Sequence, residues 1–392
     1  MEIFNIIDNA KKQENIGNID EAILILEKAI LTNPDNKDLI MHLSRLYLTK
    51  GKPLKSLELL NSKTNMRNDP DFLMQLATVY MFINCLNDAE ITLKEALQYT
   101  QTGPIYNNLG VILLRLGKGS EAVKSFEKSI ELEPGNINAW LNIATYYHSQ
   151  NNIDLAIEIL TRALSNNDKN FELIQKYVEL LNLKGDSDKA LSIINNEEEN
   201  YSNNIYIKLL KIKTLFTSNK LIECKEEIDK IENELLINAN NKKEIFEIKE
   251  QLYFKLGDID KSLSIIEELI NMSNSDIKYI LRKAYILLVA SRYKESLETL
   301  SNILNQKQLH PNIRNEAIIL MKNVEIENWK HLVKLLISDQ KIKDLLVADL
   351  NFGLNSLNIL LPDEGLLFLR STINNIISNL SKFIKPPMDT IS

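Results

Sequence analysis

At 392 residues, with 44% hydrophobic side chains and a net charge of −7, the chain carries enough apolar surface to offset the entropy of folding, which excludes disorder by composition. The negative balance gives no long-range attraction to phosphate, so nucleic acid and anionic membrane are disfavoured as primary partners. Cys85 and Cys224 lie far apart without a CxxC neighbour, which argues against a disulfide framework and a thiolate zinc site.

The start, Met1 to Lys12, has no basic segment followed by an apolar core, and no stretch of the chain approaches the ~18 apolar residues a membrane span needs. These features lead us to expect a reduced, cytoplasmic setting and no membrane span. In that setting the sequons at Asn200, Asn271 and Asn379 carry no information.

From Ile3 onward the chain is periodic. Counting back from a recurring small residue gives units beginning near Ile3, Lys37, Pro70, Gly103, Ile137, Phe171, Ile205, Lys243 and Ile277, in steps of 33 or 34 residues with one step of 38. Gly110, Ala122 and Pro134 recur one step later as Ala144, Ala156 and Asp168. In the fifth unit Trp140, Ile143 and Tyr147 share one face of a predicted first helix, and Ala156, Leu160 and Ala163 mark the facing side of a second. Bulk at Ala144 or Ala156 would overpack the crossing at roughly 1 to 3 kcal/mol. Asn152 or Asp154 is the expected N-cap between the two helices. The fourth unit repeats the plan with Tyr106, Leu109, Gly110, Leu113, Ala122 and Phe126, and Pro134 separates it from the next.

These residues resemble the tetratricopeptide repeat family over about Ile3 to His310. The resemblance implies an all-α fold, a right-handed α-solenoid of about nine helix pairs with a C-terminal helical cap. The departures are Gln13 in the first unit, Ile212 at the small position of the seventh and Glu250 at that of the eighth, which predict altered helix offsets there. The segment Asn238 to Lys243, rich in Asn and Lys, predicts a loop.

Beyond His310 the register fades, although Ile313 to Ile337 keeps a helical pattern with Trp329, Leu332, Leu335 and Leu336. After Pro362 a stripe of Leu366, Leu369, Ile373, Ile376, Ile377, Leu380, Phe383 and Ile384 predicts an amphipathic helix, with Asp363 and Glu364 in its first turn. The expected division is a repeat array over 3–310, a capping or docking region over 311–385, and a disordered tail over 386–392.

No constellation for catalysis, cofactor or metal emerges. His42, His148, His310 and His331 fall in no metal-ligating spacing, and Leu116 to Ser120, though reminiscent of a phosphate loop, lacks the earlier glycine and the preceding strand. The expectation is a non-enzyme with no catalytic residue, no metal site and no cofactor.

Family resemblance implies that the first helix of each unit lines a concave groove that holds peptides or partner helices. Carried onto this register, the groove comprises Met74, Thr78, Met81 and Phe82, then Asn107, Asn108, Val111, Leu114 and Arg115, then Leu141, Asn142, Thr145 and His148. Amides both donate to and accept from peptide bonds, and Met and Phe supply adaptable apolar contacts. Asn108 and Asn142, preceded by Gln75, resemble a short asparagine ladder of the kind found in O-linked N-acetylglucosamine transferase repeats. The family's carboxylate clamp needs Lys where this chain has Ile7, Met41, Met74, Asn107, Leu141, Gln175, Leu209, Glu247 and Leu281, which argues against a chaperone-tail adaptor. Groove acids (Asp38, Asp71, Glu172, Glu179, Glu244) alternate with bases (Lys11, Arg45, Arg115, Lys213, Lys255), leaving no basic stripe for nucleic acid. The function expected is a protein-interaction scaffold or adaptor for a protein or peptide partner, with no nucleic acid bound and self-association through the C-terminal helix as a further expectation. The alternative is an accessory or regulatory subunit of an enzyme, such as a glycosyltransferase, docking through its C-terminal helices.

Overall fold

A computed structural model describes residues 2–166, 170–198, 200, 204–232, 239–274, 276–361 and 363–383; the side chains of 2, 239–240, 363–364 and 376–383 stand outside that description. The described residues form an all-α repeat protein without β-strands. Contacts divide the chain into two compact units, Met1–Tyr201 and Ser202–Ser392.

The first unit holds six helix pairs: α1 (Glu2–Asn15) with α2 (Ile19–Thr32), α3 (Lys37–Thr49) with α4 (Pro53–Asn61), α5 (Pro70–Phe82) with α6 (Leu86–Tyr99), α7 (Gly103–Arg115) with α8 (Gly119–Leu132), α9 (Ile137–Ser149) with α10 (Ile153–Asn166), and α11 (Phe171–Lys184) with α12 (Ser187–Glu198). The second unit holds three pairs: α13 (Ile205–Thr217) with α14 (Leu221–Glu232), α15 (Ala239–Lys255) with α16 (Ile259–Met272), and α17 (Ile277–Val289) with α18 (Tyr293–Leu304). It continues with α19 (Pro311–Ser338), α20 (Gln340–Ala348), α21 (Leu350–Ser356) and α22 (Asp363–Phe383).

Two kinds of punctuation cut the chain at the repeat period. Fifteen residues into each repeat the backbone turns left-handed, at Gly17, Gly51, Asn84, Gly117, Asn151, Gly185, Asn219, Gly257 and Ser291. There the next amide donates back across the turn to the first helix, as Lys118 N to Leu113 O at 2.8 Å and Asn152 N to Tyr147 O at 2.9 Å. Only Gly, Asn and Ser serve, because a larger side chain clashes with its own backbone at positive φ. The residue just before seven of the first helices caps it: Asn36, Asp69, Asn136, Asn170, Asn204, Asp276 and His310 all accept amides of the first turn, whereas Thr102 before α7 makes no such bond. Asn152 likewise accepts the Leu155 amide at 3.2 Å, the cap expected between α9 and α10.

The small residue of each second helix, Ala22, Ser56, Ala89, Ala122, Ala156, Ala190, Cys224, Ser262 or Ser296, is fully buried. Where it is serine it also bonds the partner helix: Ser56 Oγ and Ser296 Oγ donate to the carbonyls of Ser44 and Ala284 at 3.0 and 2.7 Å. Burial pushes the Cys224 thiol up to about 12, in keeping with a small apolar packing residue. Glu250 in the eighth repeat, although a carboxylate in a small-residue position, is 3% exposed and satisfied by Ser262 Oγ at 3.0 Å and by Arg282.

The predicted loop over Asn238 to Lys243 is not found. Asn238 lies outside the described residues, and from Ala239 the chain is already helical, so the extra four residues of the 38-residue step lengthen α15 to 17 residues. Four residues are one helical turn, which preserves the buried face.

Helix α19 begins at Pro311, 34 residues after Ile277, so the register supplies one more first helix than expected. Its left-handed position would fall at Glu325, which does not stop a helix, and α19 runs on for 28 residues. Leu332, Leu346, Leu354, Ile359, Leu361 and Leu369 then form a last core that gathers α19 to α22. Of the predicted C-terminal stripe, Leu369 is buried and Leu366 and Ile373 pack beside it. Ile376, Ile377, Leu380 and Phe383 fall among the undescribed side chains, as do Asp363 and Glu364, and Ile384, Pro362 and the tail 386–392 lie outside the described residues.

Candidate functional site

Each first helix in the middle of the first unit buries two flanks. On α7 Ile105, Leu109, Gly110, Ile112 and Leu113 face neighbouring helices; on α5 Phe72, Leu73, Leu76, Ala77 and Val79 do; on α9 Ala139, Trp140, Ile143 and Ala144 do. Consecutive first helices also touch one another, α5 with α7 and α7 with α9. What remains is one strip per helix, at the fifth, sixth, ninth, twelfth and thirteenth positions.

The thirteen uncharged or basic groove residues anticipated on α5, α7 and α9 fall at those positions, whereas the expected groove acid Asp71, at the second position of α5, does not. Met74, Thr78, Met81, Asn107, Asn108, Val111, Leu114, Leu141, Asn142 and His148 are half-buried, and Phe82, Arg115 and Thr145 are exposed. Phe82 is 59% exposed, a large apolar side chain that its own repeat leaves uncovered.

The amides are joined differently from a ladder of Asn108 and Asn142. Asn142 Nδ2 donates to Asn107 Oδ1 at 3.0 Å, and Asn107 Nδ2 reaches Asn108 Oδ1 at 3.5 Å. Gln75 Nε2 likewise donates back to Ser44 Oγ at 2.9 Å. The sixth position is thus a recurrent bridge to the preceding first helix: His42 Nε2 meets Glu14 Oε2 at 3.0 Å, and Arg282 takes Glu250 in the second unit. Sequence reasoning missed this bridge, although the run of polar residues His42, Gln75, Asn108 and Asn142 at one register position carried the signal. Of these two Asn bonds, only that from Asn142 to Asn107 stacks one repeat on the next. Asn142 Oδ1, one N–H each of Asn107 and Asn142, and both N–H groups of Asn108 remain for another molecule.

Other groups are partly committed. Thr78 Oγ1 donates to Met74 O at 2.9 Å within its own helix, and Arg115 Nη1 reaches Met81 O at 3.4 Å, which ties the end of α5 to α7. Of the expected groove charges, Asp71 pairs with Lys37 at 3.2 Å, Arg45 with Glu14 at 3.5 Å, Glu179 with Lys176 at 3.5 Å and Lys213 with Glu244. Burial pulls the Lys37 ammonium down, but hydrogen bonds to Asp69 and Asp71 outweigh it and leave its pKa raised. Burial likewise holds the His42 imidazole below its usual value, against the opposing pull of Glu14. The strip from Phe82 to His148 therefore presents apolar side chains, amides, one guanidinium, the Thr145 hydroxyl and the His148 imidazole. Among the described residues no group of three or more His, Cys, Asp or Glu is placed to hold a metal ion, and no helix is long and apolar enough to cross a membrane.

Comparison with known proteins agrees with the repeat architecture. The Tetratricopeptide repeat family profile matches residues 104–136, and a second Tetratricopeptide repeat profile matches 125–158. The BBSome complex member BBS4 of Bos taurus is 23% identical over 177 residues, covering 45% of this chain and 34% of that protein. The TPR repeat-containing protein YpiA of Bacillus subtilis (strain 168) is 25% identical over 176 residues, covering 42% of this chain and 40% of its own. The chain thus spans about a third of BBS4 and 40% of YpiA. A solved tetratricopeptide repeat protein from Parabacteroides merdae is 17% identical, with a TM-score of 0.43, over 60% of this chain and 92% of its own. The profiles thus seat tetratricopeptide repeats on the fourth and fifth helix pairs, and the same punctuation and buried small residues mark all nine pairs.

Proposed function

We propose that this protein is a non-catalytic interaction scaffold whose first unit binds a peptide or partner helix along the open strip of α5, α7 and α9. What supports the reading is the company kept there: Met74, Met81, Phe82, Val111, Leu114 and Leu141 offer apolar contact around Asn107, Asn108 and Asn142, and all of them remain reachable by solvent. Apolar pockets with a few amide bonds commonly give affinities near −8 kcal/mol, about micromolar, which suits reversible assembly. In this reading residues 3–310 present the binding surface and 311–385 close its end.

A second reading, an accessory or regulatory subunit docking through its C-terminal helices, is favoured by one observation. Ile337, Leu367 and Phe368 on α19 and α22 are 77%, 66% and 61% exposed. One affinity-capture experiment separates the two. Partners recovered by the whole chain are quantified against a Phe82→Ala/Leu141→Ala variant and an Ile337→Asp/Phe368→Ser variant, each checked for native circular dichroism. Groove binding predicts loss of partners with the first variant and retention with the second. The opposite result would make the C-terminal helices the docking element.

A further inference from the structure

The second unit contains a cavity of about 910 Å³ where the open strips of α15, α17 and α19 meet. Its apolar lining includes Ile266, Leu269, Leu281 and Ile319, and Tyr285, 41% exposed, stands in its wall. It owes nothing to the groove of the first unit, from which it differs in both residues and charge.

The charges of this cavity form a definite pattern. The Arg282 side chain is held by the buried Glu250 carboxylate, with Nε at 3.1 Å from Oε2 and Nη2 at 3.0 Å from Oε1. Its guanidinium also lies 4.6 Å from the Phe254 ring centre and 5.4 Å from that of Tyr285. Glu247 takes the Tyr279 hydroxyl and the Lys278 ammonium. Both cations of the lining are therefore committed to carboxylates of the lining. Glu316, exposed on α19, has no ion-pair partner among the described residues. An anionic ligand would have to break the Arg282–Glu250 pair and strand a buried carboxylate. A cation meets an uncompensated carboxylate, a tyrosine ring and the amides of Asn315 and Asn323, with Ile319 available for an aliphatic stem.

We propose that this cavity docks a basic peptide segment, with a Lys or Arg side chain of that segment seated against Glu316 and Tyr285. The proposal does not depend on the function assigned to the first unit, and the two fail separately because their residues do not overlap.

The test uses the whole chain and two fluorescein-labelled peptides of equal length, one with a Leu-Arg-Leu-Arg centre and one with a Leu-Glu-Leu-Glu centre. Fluorescence anisotropy is read at about 0.15 M salt, where unspecific long-range attraction is screened. Saturable binding of the Arg peptide alone is expected, weakened about tenfold by Glu316→Lys and roughly threefold by Glu316→Gln. Glu121→Lys, the same charge change on α8, is expected to leave the affinity within about twofold. Equal binding of the two peptides, or an equal loss with Glu121→Lys and Glu316→Lys, would overturn the site.

Discussion

At the residue scale, close approach of helices is bought by side-chain size at single positions, as at Gly110. A Cβ built there would lie 2.5, 2.7 and 2.8 Å from three atoms of the Phe126 ring. Phe126 is fully buried, so its ring has nowhere to swing. Gly110→Ala is therefore expected to destabilise the protein by about 1–3 kcal/mol in urea unfolding, despite alanine's better helix propensity. Phe126→Leu placed in the same chain should recover part of that loss, because it removes the atoms in conflict, and the coupling from the four-variant cycle should exceed about 0.5 kcal/mol. Additive effects would mean that the two side chains do not meet. The equivalent positions tolerate other solutions where chemistry compensates. Glu250 is accommodated by Ser262 and Arg282, and Ser44 by a 2.7 Å hydroxyl pair with Ser56.

At the element scale, the left-handed turns set helix length, and their residues are graded by strain. Five of the nine are glycine, three are asparagine, and the ninth is Ser291 at a φ of 58°. Serine in this region costs about 1–2 kcal/mol, and glycine gives back about 0.5–1 kcal/mol through its freer unfolded chain. Ser291→Gly should thus stabilise the α17–α18 pair by up to about 1 kcal/mol, seen as a higher denaturation midpoint at an unchanged slope. A lower midpoint would show that the serine side chain contributes something the turn needs. The same turns explain how legible the fold was. Small residues, turn residues and apolar spacing all recur at one period, so the helix pairs and seven of the first-helix starts, from Lys37 to Ile205 and again at Ile277, could be placed to the residue. Composition misled at Asn238 to Lys243, because Asn and Lys are turn formers or helix-surface residues according to register, and four residues make one turn. Glu325 was informative only in retrospect: the missing stop predicts a long α19 once position fifteen is recognised as the stop. The open strip was legible because burial follows helical phase. The pairing of Asn142 with Asn107 was not, because it depends on how far one first helix is offset from the next, and no single repeat encodes that offset.

At the scale of the whole molecule, the architecture of the nine repeats is local, and the last core, from α19 to α22, gathers elements that are not neighbours in sequence. Among the described residues of the repeats, helices pack on their sequence neighbours and first helices on the first helices of adjacent repeats, so stability there is a sum of repeat and neighbour terms. The first unit, Met1–Tyr201, contains six pairs with their own cores, among them the cluster of Leu26, Leu39, Leu43 and Leu46 and that of Ile40, Leu60, Phe72 and Leu76. It is long enough to be compared with independent domains of about 100–200 residues. Expressed alone, residues 1–201 are expected to give a helical far-ultraviolet spectrum and one cooperative thermal transition, because nearly everything those cores require lies within that stretch of sequence. Alanine at Leu76, fully buried in the second of those clusters, should lower the transition by the about 2–5 kcal/mol typical of such truncations, in the fragment as in the whole chain. A fragment that melts without cooperativity, or in which Leu76→Ala has no effect, would mean that the six pairs draw their order from residues beyond Tyr201.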